Sequence, residues 1–329
     1  MEQERLYDDK LKTAFLRTID ARVPIINDEK LWGYYLDEYE KDLDYKTLWT
    51  KFKKMIKDSF NDDLKQYNDE VANALRLFSL IGEDIRKEKP IITKENYSDA
   101  INDFVHGFST GENGKRYEDD VYYLTLDLKD AFYQCIDRFS LLKNKTFDEF
   151  IKENFPHPEI FDWRGIKIKI CHAMDKKYGK AFLLKMELCL LSEIYESDNS
   201  LIKQIKDLGL KIASVDGDSL AFKIGPENTL PKEFMKKYCN KEHVIDGIKI
   251  HVYVNKFNRI HYKINGEEHS VSFFTSAIDG KRRYRTKFCP YLWQLIKIYN
   301  KEELTEKDMF IREGSGYVLF RDKIEILNV

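Results

Sequence analysis

Asp216 and Asp218 flank a single glycine in KIASVDGDSLAFKIG, residues 211–225. Two like charges this close repel each other unless a cation neutralises them, and hard carboxylate ligands of this kind suit Mg²⁺. A third carboxylate, Asp127, closes the apolar run of YYLTLDLKDAFYQCI, residues 122–136. Carboxylates arriving from two strands could share a divalent-cation site. Two such ions would clamp the attacking and leaving oxygens of an in-line phosphoryl displacement. One aspartate at a strand end is by itself only a cap or turn residue, so the chemistry depends on convergence.

The flanking residues are those that could bring about this convergence. Ile212, Ala213 and Val215 precede the turn, and Leu220, Phe222 and Ile224 follow it with period two. That alternation reads as a half-buried strand, with Gly217 supplying the permissive backbone of a hairpin tip. Val121 to Leu126 reads as a β-run that ends at Asp127, and DAFYQCIDRFSLL after it reads as helix. Asp130 is then a charge at the helix N-terminus, favoured by the dipole. Residues 1 to about 90 carry apolar residues at three- and four-residue spacing and read as helices.

A polar segment with Pro156 and Pro158 precedes a long helix-compatible stretch broken near Gly179. Residues 248–277 read as a β-meander in which Asn265-Gly266 marks a hairpin. A helix after Pro290 and short strands around GYVLFRDKIEIL complete the chain.

Composition narrows the class. The chain has 329 residues, 43% hydrophobic and 34% charged, with a formal net charge of −2. It can bury a large core, and near-neutrality leaves nucleic-acid binding open because only the contacting patch must be basic. Lys281, Arg282, Arg283, Arg285 and Lys287 form such a patch in GKRRYRTK. Cys135, Cys171, Cys189, Cys239 and Cys289 are scattered and never in CxxC spacing, which points away from a disulfide scaffold or zinc site and towards a reducing, cytoplasmic compartment. No run of about eighteen apolar residues is present, so no membrane span is expected. His106, His172 and His261 lack metal-ligand spacing.

Taken in order, these segments resemble the palm of family B DNA polymerases, with texture nearest to protein-primed viral or mobile-element members. DLKDAFYQCI resembles the first palm motif, D-x-x-S-L-Y-P-S-x-I, and SVDGDSLAF resembles the D-T-D-S motif. The resemblance implies that Asp127 and Asp218 are metal ligands with Asp216 in support. It places Phe132 where an aromatic excludes a ribose 2′-hydroxyl. FVHGF, with Gly107, is similar to the template-contacting Y-x-G-G segment. HAMDKKYGKAF resembles the fingers motif K-x-x-x-N-S-x-Y-G, with Tyr178 and Gly179 matched. RIHYKINGEE resembles the K-x-Y strand, placing Tyr262 near the primer end, and IDGKRRYRTKFCP resembles the segment before the thumb, with Gly280 and Arg285 in register. These segments span roughly residues 104 to 296.

There are departures. Cys171 stands where the family carries the lysine that pairs with the incoming triphosphate, leaving Lys167, Lys169 or Lys176 as substitutes, with Lys169 and Lys176 the assigned nucleotide ligands. Asp175-Lys176 replaces Asn-Ser, Tyr133 replaces a proline, and Ile260 replaces the lysine of K-x-Y beside Arg259. Only 126 residues precede Asp127, and no D-x-E exonuclease motif is found there, so the expectation is an exonuclease-less enzyme or the C-terminal part of a split one.

The resulting expectation is an α+β fold: a polymerase palm with an antiparallel sheet, short helical fingers, a small thumb and a helical N-terminal region. Its boundaries are 1–95 for the N-terminal region, 96–140 and 181–285 for the palm, 141–180 for the fingers and 286–329 for the thumb. The expected function is template-directed nucleotidyl transfer with two Mg²⁺ ions. Expected partners are a DNA primer-template, deoxynucleoside triphosphates and a second polymerase subunit or replication protein, in the host cytoplasm if the source is viral. Two alternatives stand beside it. One is a reverse transcriptase or primase-like polymerase, although reverse transcriptases favour adjacent aspartates where Gly217 intervenes here. The other is a degenerate palm that only binds nucleic acid or a replication partner.

Overall fold

The computed structural model describes residues 2–21, 23–38, 44–88, 97–101, 117–143, 145–175, 182–284, 289–313 and 316–327, with the backbone alone at Asp216. Four helices open the chain: α1 (Glu2–Ile19), α2 (Glu29–Glu38), α3 (Tyr45–Phe60) and α4 (Leu64–Glu88). Then come β1 (Val121–Leu128), α5 (Ala131–Arg138), α6 (Phe147–Asn154), α7 (Arg164–Asp175), α8 (Phe182–Glu196) and α9 (Ser200–Asp207). The hairpin β2 (Lys211–Asp216) and β3 (Ser219–Gly225) follows, then α10 (Lys232–Tyr238), β4 (Lys241–Ile245), β5 (Ile248–Ile264), β6 (Glu267–Ser276) and β7 (Arg282–Tyr284). The C-terminal part holds α11 (Leu292–Tyr299), β8 (Phe310–Glu313), β9 (Gly316–Leu319) and β10 (Ile324–Ile326).

The fold is α+β, built on an antiparallel sheet in the order β2-β3-β1-β5-β6-β7, with β4 and β10 also on β5. β5 is the spine, because its residues pair on both edges. Val252 faces Leu126 of β1 and Lys241 of β4, while Tyr262 faces Ile326 of β10 and His269 of β6. Strand residues alternate between faces. Leu124, Leu126 and Leu128 of β1, Leu220 and Phe222 of β3, and Val252 and Val254 of β5 are buried on one face. They share a core with Phe132 and Ile136 of α5, Leu190 and Ile194 of α8, and Ile202 and Ile205 of α9. Tyr195 of α8 stacks on Phe222, with ring centroids 6.3 Å apart.

The N-terminal helices belong to the same continuous core through Phe15, Trp32, Phe52 and Phe78. α4 packs along α7 closely enough that a Cβ at Gly82 would lie 2.3 Å from the Met174 carbonyl oxygen, so only glycine fits there. A second core lies under the outer half of β5 and β6, where Ile260, Tyr262, Ile264 and Phe273 pack with Leu295 and Phe320. The fully buried carboxylate of Asp308 ties this part to α2. It accepts from Tyr34 Oη at 2.8 Å and Trp293 Nε1 at 3.0 Å, and pairs with Lys297 at 2.8 Å. No helix among the described residues is long and apolar enough to cross a membrane.

Candidate active site

Two antiparallel pairings bring the carboxylates together. β1 lies beside β3, so that Asp127 faces Ser219, the first residue after the hairpin tip. The Leu128 amide donates to the Asp218 carbonyl at 2.8 Å, stapling the end of β1 to the turn. The turn itself depends on Gly217, whose φ of 57° is cheap only for glycine. A Cβ there would also meet Leu184 at 3.5 Å and Glu187 at 3.6 Å, both from α8. Asp216 pairs with Ser219 through the backbone at the end of β2. All three aspartates therefore lie at one end of three neighbouring strands.

The electrostatics fit a site that awaits a cation. Asp127 is half-buried and Asp218 exposed. Burial first, and the charge of Asp218 second, push the Asp127 carboxyl up to about 7, against the opposing pull of Arg283. A carboxylate raised by burial and a like-charged neighbour gains most from a bound cation. Among the described residues no group of three or more His, Cys, Asp or Glu side chains is arranged to hold a metal. Two carboxylates still suffice for Mg²⁺, which keeps several waters and completes its sphere with substrate phosphates.

Asp127 shares its face of the sheet with residues that the motifs do not single out. Across β5 it faces His251, whose ring stacks on Tyr253 at 4.2 Å. The Arg283 guanidinium lies 4.7 Å above the Tyr253 ring. Burial lowers the His251 pKa, with Glu242 opposing, so the imidazole is neutral at pH 7. A carboxylate pair, a neutral histidine, a tyrosine and an arginine thus line one exposed sheet face. At its far end Tyr117, Tyr123 and Phe257 close it as a small aromatic cluster. The alternation IKIHVYVNKF was the signal for His251 and Tyr253, because it sends residues 250, 252 and 254 inward and 251 and 253 outward.

The other expected site residues fall in several places. Arg283 joins the carboxylate face, whereas Arg282, one residue away, points to the opposite face. There it sits 5.5 Å from the Phe273 ring and donates to Asn300 at 2.6 Å. Lys281 is exposed in the turn before β7. Phe132 is buried, with 8% of its surface exposed, and its ring lies 5.5 Å from that of Tyr133. Tyr133 lines a cavity of about 900 Å³ beside the end of β1.

Lys169 sits beside Arg17 and Asp20 on the α1 side of α7, away from the carboxylates. There burial and Arg17 lower its pKa. Tyr262 lies eleven residues beyond His251 along β5, roughly 35 Å of strand. It is buried in the second core rather than beside Asp127. Gly107, Lys176, Tyr178 and Arg285 lie outside the described residues.

Gln134 was passed over in the sequence and braces the turn after Asp127. Its amide nitrogen donates to the Lys129 carbonyl at 2.5 Å and the Lys249 carbonyl at 2.8 Å, while its oxygen accepts from the Lys249 amide at 2.6 Å. No family model matches the chain, and neither a curated protein nor a solved structure matches it.

Proposed function

We propose that the chain catalyses template-directed nucleotidyl transfer on a DNA primer-template, with the β-sheet acting as a polymerase palm. In this reading α6 and α7 serve as fingers and the region after residue 285 as thumb. The observation that carries the proposal is the meeting of Asp127 and Asp218 at the tip of the β2–β3 hairpin, on a sheet face that also presents Arg283. When bound to this pair, Mg²⁺ supplies Lewis-acid polarisation of phosphate oxygens and lowers the pKa of a primer 3′-hydroxyl.

The chain's own residues do the rest. The Leu128–Asp218 staple and the Gln134 clamp hold the two carboxylates at a fixed separation, and such positioning is most of what phosphoryl transfer asks of a protein. The bond that forms joins the 3′-oxygen to the α-phosphorus, and the bond that breaks releases pyrophosphate. Arg283 and Tyr253 offer a cation and a ring to a nucleic-acid strand crossing the face, contacts that position without reading sequence.

Extension of a labelled DNA primer with Mg²⁺ and deoxynucleoside triphosphates tests the reading. Wild type should extend, and Asp218→Asn should lose extension while keeping its fold. Extension by Asp218→Asn at near wild-type rate would remove the proposal. Extension only on an RNA template would transfer it to reverse transcription.

A further inference from the structure

We propose that the cavity at the end of β1 receives the polyphosphate tail of the incoming nucleotide, and that Lys167 is the cation that holds it. This rests on the nucleotidyl-transfer reading. The cavity begins at Lys129, two residues after Asp127, and is walled by Asp130, Tyr133, Lys167 and Lys249. A polyphosphate chelated at Asp127 and Asp218 carries its remaining negative charge a few ångströms further on. This cavity opens there, next to the chain segment that leaves Asp127.

The cations on its wall are not equivalent. Lys129 is committed to Glu242 and Arg138 to Glu193. Lys167 reaches across from α7 to the turn after β1, where its ammonium lies 2.9 Å from Asp130 Oδ1 and 4.9 Å from the Tyr133 ring. Asp130 caps no backbone amide through its side chain and is 44% exposed. Its hold on Lys167 is therefore that of a weak, solvent-screened pair, which a multiply charged polyphosphate outcompetes. Helix geometry excludes the neighbouring lysine. Residues two apart on a helix point roughly 200° apart, and Lys169 accordingly faces Arg17 and Asp20. Cys171, one turn on from Lys167 and on the same face, carries no ammonium.

The full chain, loaded with a labelled DNA primer-template and Ca²⁺, is titrated with a fluorescent deoxynucleoside triphosphate, and extension with Mg²⁺ is measured in parallel. Lys167→Gln should weaken triphosphate binding at least tenfold and raise the KM of extension more than it lowers kcat. Asp130→Asn, which keeps a residue tolerant of the left-handed backbone there, should tighten binding several-fold. A merely structural ion pair would move both variants in the same direction.

Lys167→Gln within twofold of wild type would overturn the proposal, as would weakening by Lys169→Gln in its place or weakening by both Lys167→Gln and Asp130→Asn. If wild type binds triphosphate through Lys167 yet never extends, the polyphosphate site stands and the polymerase reading falls. If wild type extends and Lys167→Gln has an unchanged KM, the reverse holds. If wild type neither binds nor extends, both fall.

Discussion

Replacing Asp127 with asparagine should make the metal-free protein more stable at alkaline pH. Its carboxyl sits at about 7 instead of the ordinary 3.8, first because it is buried and second because Asp218 is beside it. A folded-state pKa above the unfolded one means that the native state binds the proton more tightly. The stabilisation from that proton is fully present below pH about 4 and is lost as pH rises through about 7. At 1.36 kcal/mol per pH unit, the full difference corresponds to about 4 kcal/mol. Asp127 is only half-buried, so solvent screening reduces the usable part to about 1–2 kcal/mol.

At pH 5, where Asp127 is mostly protonated, Asp127→Asn and wild type should unfold in urea at nearly equal midpoints. At pH 8 without divalent cations the variant should be the more stable by that margin. Adding Mg²⁺ should then raise wild-type stability and leave the variant unmoved, because a ligand stabilises only the state that binds it. A wild type more stable than Asp127→Asn at pH 8 in chelator, or a difference that does not change with pH, would refute the reasoning.

Three further outcomes follow from the same contacts. Gln134→Ala loses three hydrogen bonds between the turn after β1 and the start of β5, and should cost about 1–3 kcal/mol in urea unfolding, with a lower extension rate. Arg283→Gln should weaken DNA binding equally for all sequences and reduce the slope of log affinity against log salt by about 0.9, measured by fluorescence anisotropy. At Asp308, burial opposes the charge but Lys297, Thr305 and Trp293 override it and hold the carboxyl well below the usual range. Asp308→Ala should therefore cost about 3–5 kcal/mol by stranding Lys297. The contribution of Asp308 should also fade as acid protonates it, and thermal melts between pH 7 and pH 2 would show this.

Local pattern made the hairpin around Gly217 legible. Period-two alternation on both sides and a lone glycine between carboxylates leave few other conformations, and the structure forms that turn. Asp127 was legible as a strand end for the same reason. Its meeting with Asp218 was not, because it depends on β1 inserting between β3 and β5, a long-range pairing with no local signal. Lys167 and Lys169 show a similar limit. Which of them faces the cavity is a matter of helix phase, set by the packing of α7 on α1 and α4.

Tyr262 went to the second core because β5 runs for seventeen residues with unbroken pairing to β6, which keeps positions 260, 262 and 264 on the apolar face. A signal was missed at α6. The segment before Pro156 and Pro158 reads as merely polar, yet Thr146 and Glu149 form a capping box that starts a helix at Phe147.

Binding of Mn²⁺ to the free protein at pH 8, followed by the loss of its aquo EPR signal and competed with Mg²⁺, tests most directly whether Asp127 and Asp218 form one divalent-cation site. Wild type should bind with Mg²⁺ competing, and Asp127→Asn and Asp218→Asn should each lose at least tenfold in affinity. Undiminished Mn²⁺ binding in both variants would contradict it.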